Sequence, residues 1–446
     1  MKSLSEIAAE LQGYDPQALP AGKVNEFLAN LVQPVQATET VHLFDALDRV
    51  LAQEIISPIS VPAHDNSAMD GFAFAGHALQ TRQALRLKVV GTAFAGKAWQ
   101  GSVAAHECVK IMTGAVMPTG LDTVAPQELC VVSEDNIQIP ADALKAGDNR
   151  RLMGEDLMAG GVALGQGERL TPAALGLLAS LNISQVQVRR KLKIAYFSTG
   201  DEVLSLGDVP REGAIYDSNR YTVTGLLKRW GCEVVDMGVV RDDPVSLEAA
   251  FTAAASQADA IITSGGVSVG EADFTKTMMK KLGDVAFWRI AMRPGRPMAV
   301  GRIFKTKSPS SPIDTCASRS SIDSNDCILF GLPGNPVATM VTMLAFVRPA
   351  LLRMSGAAEK YCEPPLLLKA KSVEAIRKKS GRTEYQRGLV SRCSKGDLQV
   401  RITSANQGSG VLSSMVQANG LIVLHHDQGN VAVGDMVDMM MFEGVM

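Results

Sequence analysis

CEVVDMGVVRDDPVSLEAAFTAAASQADAIIT, residues 232–263, reads as one complete strand–helix–strand unit. CEVVDMGVV is rich in valine and short enough for a strand, and PVSLEAAFTAAASQ has helical composition. Between them Asp242 and Asp243 precede Pro244, a residue suited to the first position of a helix. ADAIIT then returns to β-branched apolar residues. The same alternation continues outward in both directions. KLKIAYF (191–197) is a strand, and YTVTGLLKRW (221–230) is a helix stopped by Gly231. DFTKTMMKKL (273–282) is a helix stopped by Gly283, followed by strands near 285–291 and 297–303, then CILFGL and a helix from Pro336. Strands alternating with helices predict a doubly wound, mostly parallel α/β sheet. Ligands of such sheets bind outside the carboxyl ends of the strands.

The flanks follow other periods. Residues 21–55 read as helices, with Val24, Phe27, Leu28, Leu31 and Val32 on one stripe, and a further helix is expected at 171–181 behind Thr171 and Pro172. Alternating runs such as LRLKVVG and CVKIM suggest a small β domain inserted in this helical region. Short β runs return from about 362. The chain is therefore expected to be a multidomain α/β protein. Residues 1–60 with 151–190 form a helical or extended N-terminal domain, 61–150 an inserted β domain, 191–360 the α/β domain and 361–446 a C-terminal β domain. Residues 306–326, rich in Ser, Asp and Pro, read as a surface insertion in the α/β domain.

A net charge of -2 gives no sign of attraction to nucleic acid or membrane. No apolar run is read as long enough to span a bilayer, and the N-terminus lacks a secretory pattern. The seven cysteines form no CxxC pair or Cys/His cluster, which argues against a disulfide framework and a structural zinc site. A reducing cytoplasm fits best.

The polar loops gather at predicted strand ends. In IITSGGVSVGEADF (261–274), Gly265, Gly266 and Ser268 suit an anion cradle of backbone N–H groups at a helix start. Asp273 beside such a cradle suggests an intervening cation, Mg²⁺, and Asp242 lies on the same sheet edge. An ordinary strand–loop–helix connection explains the loop equally well. FSTGDEV carries Glu202 on a turn that is either capped or anion-binding. Asp217, Ser218 and Asn219 precede a helix and are good caps as well as candidate ligands. Arg289, Arg293 and Arg296 share one strand–turn–strand unit around Pro294 and Gly295; their planar forks suit phosphate or molybdate. Asn335 in LPGNPVAT opens a helix whose N–H groups are a further anion candidate. In the N-terminal half, SVPAHDNSAMDGFAF clusters Asp65, Asn66, Ser67 and Asp70 without a charge partner nearby in sequence. KIMTGAVMP (Thr113) and RRLMGEDL are further polar islands, and His64 is read as structural.

Taken together, SVPAHDNSAMDGFAF, KIMTGAVMP, GEDL, FSTGDE, YDSN, RDDP, SGGVSVGEADF, MRPGRP and LPGNPVA resemble, in order, the motifs of the molybdopterin molybdenumtransferase family, to which the E domain of gephyrin is similar. The resemblance spans about residues 20–440 outside the insertion. It implies insertion of molybdenum from molybdate into adenylylated molybdopterin, release of AMP and assistance by Mg²⁺. It also implies an elongated homodimer of four-domain subunits, with the active site between the α/β domain of one subunit and the β-rich lobe of the other. A molybdopterin adenylyltransferase and apo-molybdoenzymes are the implied partners. The family's functional positions fall on Asp70, Thr113, Glu202, Asp242, Asp273, Arg289, Arg293 and Arg296, with Asp242 and Asp273 as the implied metal ligands. Arg382 and Ser409 resemble contacts from the C-terminal domain. Three positions that are often lysine in the family are arginine here, and Ala338 stands where some members have serine. The competing readings are a molybdopterin adenylyltransferase and a non-catalytic carrier or scaffold.

Overall fold

A computed structural model describes residues 2–80, 82–267, 274–305, 326–404 and 406–446. The expected insertion, save Asp326, and the positions Ser268 and Asp273 lie outside the described residues.

The α/β domain runs β1 (Lys193–Thr199), α1 (Ser218–Arg229), β2 (Glu233–Val240), α2 (Pro244–Gln257), β3 (Ala260–Ser264), α3 (Phe274–Leu282), β4 (Gly283–Arg289), β5 (Pro297–Ile303) and β6 (Cys327–Leu332). Its sheet has the order β2-β1-β3-β6-β5-β4. The first four strands in that order are parallel; β5 and β4 are antiparallel additions. β1 and β3 are buried on both faces, which explains why their sequences are continuous apolar runs rather than alternating ones. The chain leaves β1 toward β2 and later returns to β3 on the other side of β1. The crevice above β1 and β3 is thus the topological switch point of the sheet.

Capping fixes where the helices begin. Asp217 accepts from the Arg220 N–H at 3.0 Å and starts α1. Asp243 accepts from Val245 and Ser246 at 3.1 and 2.9 Å and starts α2, with Pro244 at its first position. Gly283 does not act as a helix stop with a left-handed cap. It opens β4, and a Cβ there would sit 2.0 Å from the Arg302 carbonyl oxygen. Close backbone approach requires glycine at that point.

The expected helix over 21–55 ends early. Ala21–Leu31 is helical, but Pro34 disfavours continuation, and Thr38–His42 is a strand paired with Gln185–Arg189. Leu4–Glu10 and Ala21–Leu31 bury their apolar faces in the core of the α/β domain, not against 151–190. Phe27 meets Trp288 edge-on at 4.8 Å, and burial of such a ring is worth about 1.5–3 kcal/mol. The helix at Pro172–Ser180 forms as expected behind its Thr171 cap.

Two further strand pairs, Ile55–Ile56 with Val162–Leu164 and Asn66–Ser67 with Arg150–Arg151, carry the chain out and back. Beyond them lies a six-stranded sheet built from residues between Gly71 and Ile139. At the C-terminus, Leu368–Ser372, Thr383–Arg392, Leu398–Ile402, Gly420–Leu424 and Met436–Met441 close into a barrel. The short strand Met292–Arg293 of the α/β domain pairs with Thr383–Glu384 of that barrel. This joint aligns the barrel with the switch point.

One expectation from sequence needs correction. The helical stretch Pro336–Met354 is 19 residues long with mean hydropathy 1.4, so by length and composition it is apolar enough to cross a membrane. Here 78% of it is buried inside the protein, where Val337, Val341, Leu344 and Phe346 fill the α/β core. A helix buried all round carries apolar residues on every face.

Candidate functional site

A cleft of about 820 Å³ opens above β1 and β3 and is closed on its far side by the C-terminal barrel. Its volume suits a ligand of drug or cofactor size. Six loops build it, and each carries a residue singled out by sequence.

The turn after β1 supplies Thr199, Gly200 and Glu202. Val203–Leu204 pairs with Ile215–Tyr216, so Glu202 and the Asp217–Ser218–Asn219 segment share one rim. The turn after β3 supplies Gly265 and Gly266, with φ of 94° and 63°. A Cβ on Gly265 would meet the Thr199 carbonyl oxygen at 2.4 Å, and one on Gly266 the Thr275 side chain at 2.5 Å. Only glycine allows these close approaches at positive φ. Asp242, at the end of β2, accepts a hydrogen bond from Thr275 Oγ1 at 3.1 Å and faces the same space.

The arginine turn contributes Arg293 and Arg296. Gly295 packs so closely that a Cβ would lie 2.8 Å from Thr342 Oγ1. Arg289 does not join them. It lies within β4, where its backbone N–H donates to Pro16 O and its carbonyl accepts from Leu19. The three arginines of one sequence unit therefore divide into two on the cleft and one on the sheet's outer edge. Asn335 lines the cleft at the start of its helix, and Thr339 Oγ1 locks that turn by donating to Pro333 O at 2.6 Å.

The barrel contributes Gln407, Gly408 and Ser409. Ser409 O accepts from the Val337 N–H at 3.0 Å, which docks the loop on the α/β domain. Arg382 does not reach the cleft lining. It is held by Glu384 within the barrel at 2.7–2.8 Å.

Asp70 and Thr113 come together although 43 residues apart. The Thr113 N–H and Oγ1 both donate to Asp70 Oδ1 at 2.7 Å, and these bonds hold the Asp70 carboxyl below its ordinary value. Neither residue lines the cleft of its own chain. Nearby Asp65, without a charge partner in the local sequence, finds Arg150 at 3.6 Å across the strand pair.

Three supporting features escaped sequence reasoning. Arg387 is fully buried behind the cleft wall. It donates to Ser414 Oγ, Gln407 O and Gly408 O at 2.9, 3.2 and 3.0 Å, and so holds the Ser409 loop. Burial pushes its guanidinium down to about 10, and Arg293 adds to the effect. The available signal was an arginine in mid-strand of TEYQRGLV, next to Gln386 and close to Glu384. Beneath the switch point, Tyr196 Oη lies 2.8 Å from Ser198 Oγ and 2.7 Å from Ser264 Oγ. Both serines line the cleft. Finally, Thr199 Oγ1, Asp217 Oδ2 and Asn219 Oδ1 are buried without hydrogen-bond partners.

Among the described residues no group of three His, Cys, Asp or Glu side chains forms a metal cage. Mg²⁺ needs no such cage, since it keeps most of its waters and takes one or two carboxylates together with substrate phosphates. Asp242 would hold it here, beside the glycine turn.

Three family models match the chain in sequence: the MoeA N-terminal region (domain I and II) over 21–182, a probable molybdopterin binding domain over 195–353, and the MoeA C-terminal region (domain IV) over 369–442. A molybdopterin molybdenumtransferase of Haemophilus influenzae is 41% identical, covering 93% of this chain and 96% of its own length. Another from Nostoc is 34% identical, covering 87% of this chain and 85% of its own. The molybdopterin biosynthesis moeA protein of Pyrococcus horikoshii has the same fold in two crystal structures. Their TM-scores are 0.76 at 24% identity and 0.68 at 28%, and each covers 96% of this chain and all of its own. On this ground the chain belongs to the molybdopterin molybdenumtransferase family, a family of transferases in molybdenum cofactor biosynthesis.

Proposed function

We propose that the protein inserts molybdenum from molybdate into adenylylated molybdopterin and releases AMP, with Mg²⁺ bound at Asp242. The observation that carries this reading is the single cleft in which a glycine turn, carboxylates and two arginines meet at the switch point. Arg293 and Arg296 make no ion pair among the described residues, and their positive charge suits a divalent oxyanion. Gly265 and Gly266 let backbone N–H groups approach a phosphate closely. Mg²⁺, when bound, neutralises charge on the phosphoanhydride. Glu202 lines the same space and would orient water or a substrate hydroxyl. Asp273 and Ser268, which lie outside the described residues, are proposed to share in binding the phosphate and Mg²⁺.

Asp70 and Thr113 belong to this reading through a second copy of the chain. They form a pre-ordered pair that does not line the cleft of its own subunit, which supports a homodimer with the pair set against the partner's cleft. Six cysteines among the described residues are unpaired thiols, in keeping with a cytoplasmic setting. A molybdopterin adenylyltransferase as supplier and apo-molybdoenzymes as recipients fit the chemistry of substrate and product.

The test is AMP release from purified protein given adenylylated molybdopterin and Mg²⁺, with and without molybdate. Release that depends on molybdate is the expected result. Tight binding of the pterin without release would replace this reading with that of a carrier.

A further inference from the structure

The cleft is lined by two chemically opposite sets of polar groups. Arg293, Arg296 and Ser409 present hydrogen-bond donors, with Arg387 buried behind the Ser409 loop. At the start of α1 the buried polar atoms are acceptors. Asp217 is only 5% exposed and Asn219 7%, yet both line the cleft. Asp217 divides its carboxylate between two tasks. Oδ1 caps α1 through the Arg220 N–H, whereas Oδ2 is buried and has no partner. The guanidinium of Arg220 is committed elsewhere, to Asp236, through bonds of 2.8, 3.0 and 2.7 Å. Asn219 Nδ2 donates to Gly334 O at 2.7 Å, which fixes the amide so that Oδ1 is the free atom, and Oδ1 too is buried without a partner.

A buried acceptor without a donor carries the full cost of its desolvation, and a carboxylate oxygen carries more than an amide. Two such acceptors, two residues apart on the start of one helix, match a group that donates from two N–H bonds. A phosphate or molybdate oxygen cannot supply them, and Asp217 would repel either.

We infer that the Asp217–Asn219 segment receives the exocyclic-amine edge of a nitrogen heterocycle, with Asp217 Oδ2 and Asn219 Oδ1 accepting its hydrogens. The identity of the ligand rests on the proposed reading of the site. Both halves of adenylylated molybdopterin carry this chemistry, one on adenine and one on the pterin. The substrate's orientation follows: ring amine toward Asp217, oxyanion toward Arg293.

The test uses calorimetric titration of the full chain with two matched pairs, AMP against IMP and pterin against lumazine. In each pair the second member carries an oxygen where the first has the amine. In the wild type at least one amine member should bind about 10–100-fold more tightly than its partner. The pair that discriminates identifies which half of the substrate meets this segment. Asp217→Asn keeps the helix cap through Oδ1 but turns the other position into a donor, so the preference should reverse toward the oxygen-bearing member. Equal binding within about twofold in both pairs of the wild type overturns the inference, as does a preference that survives Asp217→Asn unchanged. Amine preference without molybdate-dependent AMP release would uphold this subsite and remove the molybdenum-insertion reading. Turnover without amine preference would do the reverse.

Discussion

The α/β cleft and the Asp70–Thr113 pair are both clusters of functional-type side chains, but they are built differently. The cleft is assembled within one chain from six loops, and the barrel is tied to the sheet by the Met292–Arg293 strand and the Ser409–Val337 bond. The pair sits in the inserted β domain, reached through two short strand pairs, and does not line the cleft of its own chain. A cleft of this kind explains its residues by what surrounds them. The Asp70 carboxylate, away from that cleft, owes its order to two short bonds from Thr113.

The sharpest way to break this contrast is to disable the cleft alone. Asp242→Asn should lower AMP release on the order of 100-fold or more while leaving the fold intact, because the asparagine amide oxygen can still accept the bond from Thr275 Oγ1. Turnover near wild type would remove Asp242 from the site. Next in size, Arg293→Ala should weaken molybdate by roughly 30–150-fold, or about 2–3 kcal/mol, as read from the KM for molybdate. Arg293→Lys should recover part of the loss, since charge is kept and only the planar fork is lost. Arg382→Ala should matter far less, about threefold at most in the same assay, because its guanidinium is satisfied by Glu384 away from the cleft lining. A large loss there would mean that the barrel reorients when substrate binds.

The smallest effect concerns the pair. The folded-state pKa of Asp70 lies below its ordinary value of 3.8, so its contact with Thr113 stabilises in full above that value and fades as pH falls through the folded value. The difference in thermal midpoint between wild type and Thr113→Val should therefore be flat from about pH 8 to 5 and shrink below about pH 4. A difference that varies between pH 5 and 8 would show that another titrating group governs the contact.

Much of this was legible in the sequence for physical reasons. The strand–helix alternation, the Asp243–Pro244 helix start and the glycine turns follow local rules, and the structure places all of them at strand ends. Where sequence reasoning fell short, the determining contacts are distant along the chain. Arg289, Arg293 and Arg296 look alike within one segment. Only pairing with Pro16 and Leu19, some 270 residues away, separates Arg289 from the other two. Tyr196 and Arg387 look like ordinary strand residues until burial and their hydrogen-bond partners are known. The early helices have the right period, but the surface that covers them, the face of the α/β core, is not encoded nearby.

The comparison comes down to whether the pair and the cleft are halves of one site. Asp70→Asn and Asp242→Asn should each be inactive alone. Denatured together and refolded as a mixture, they should regain about a quarter of wild-type AMP release, because half of the dimers would be mixed and each would carry one intact site. Recovery near that level is the predicted result. No recovery from a mixture that refolds to dimers, or full activity of Asp70→Asn alone, would contradict it.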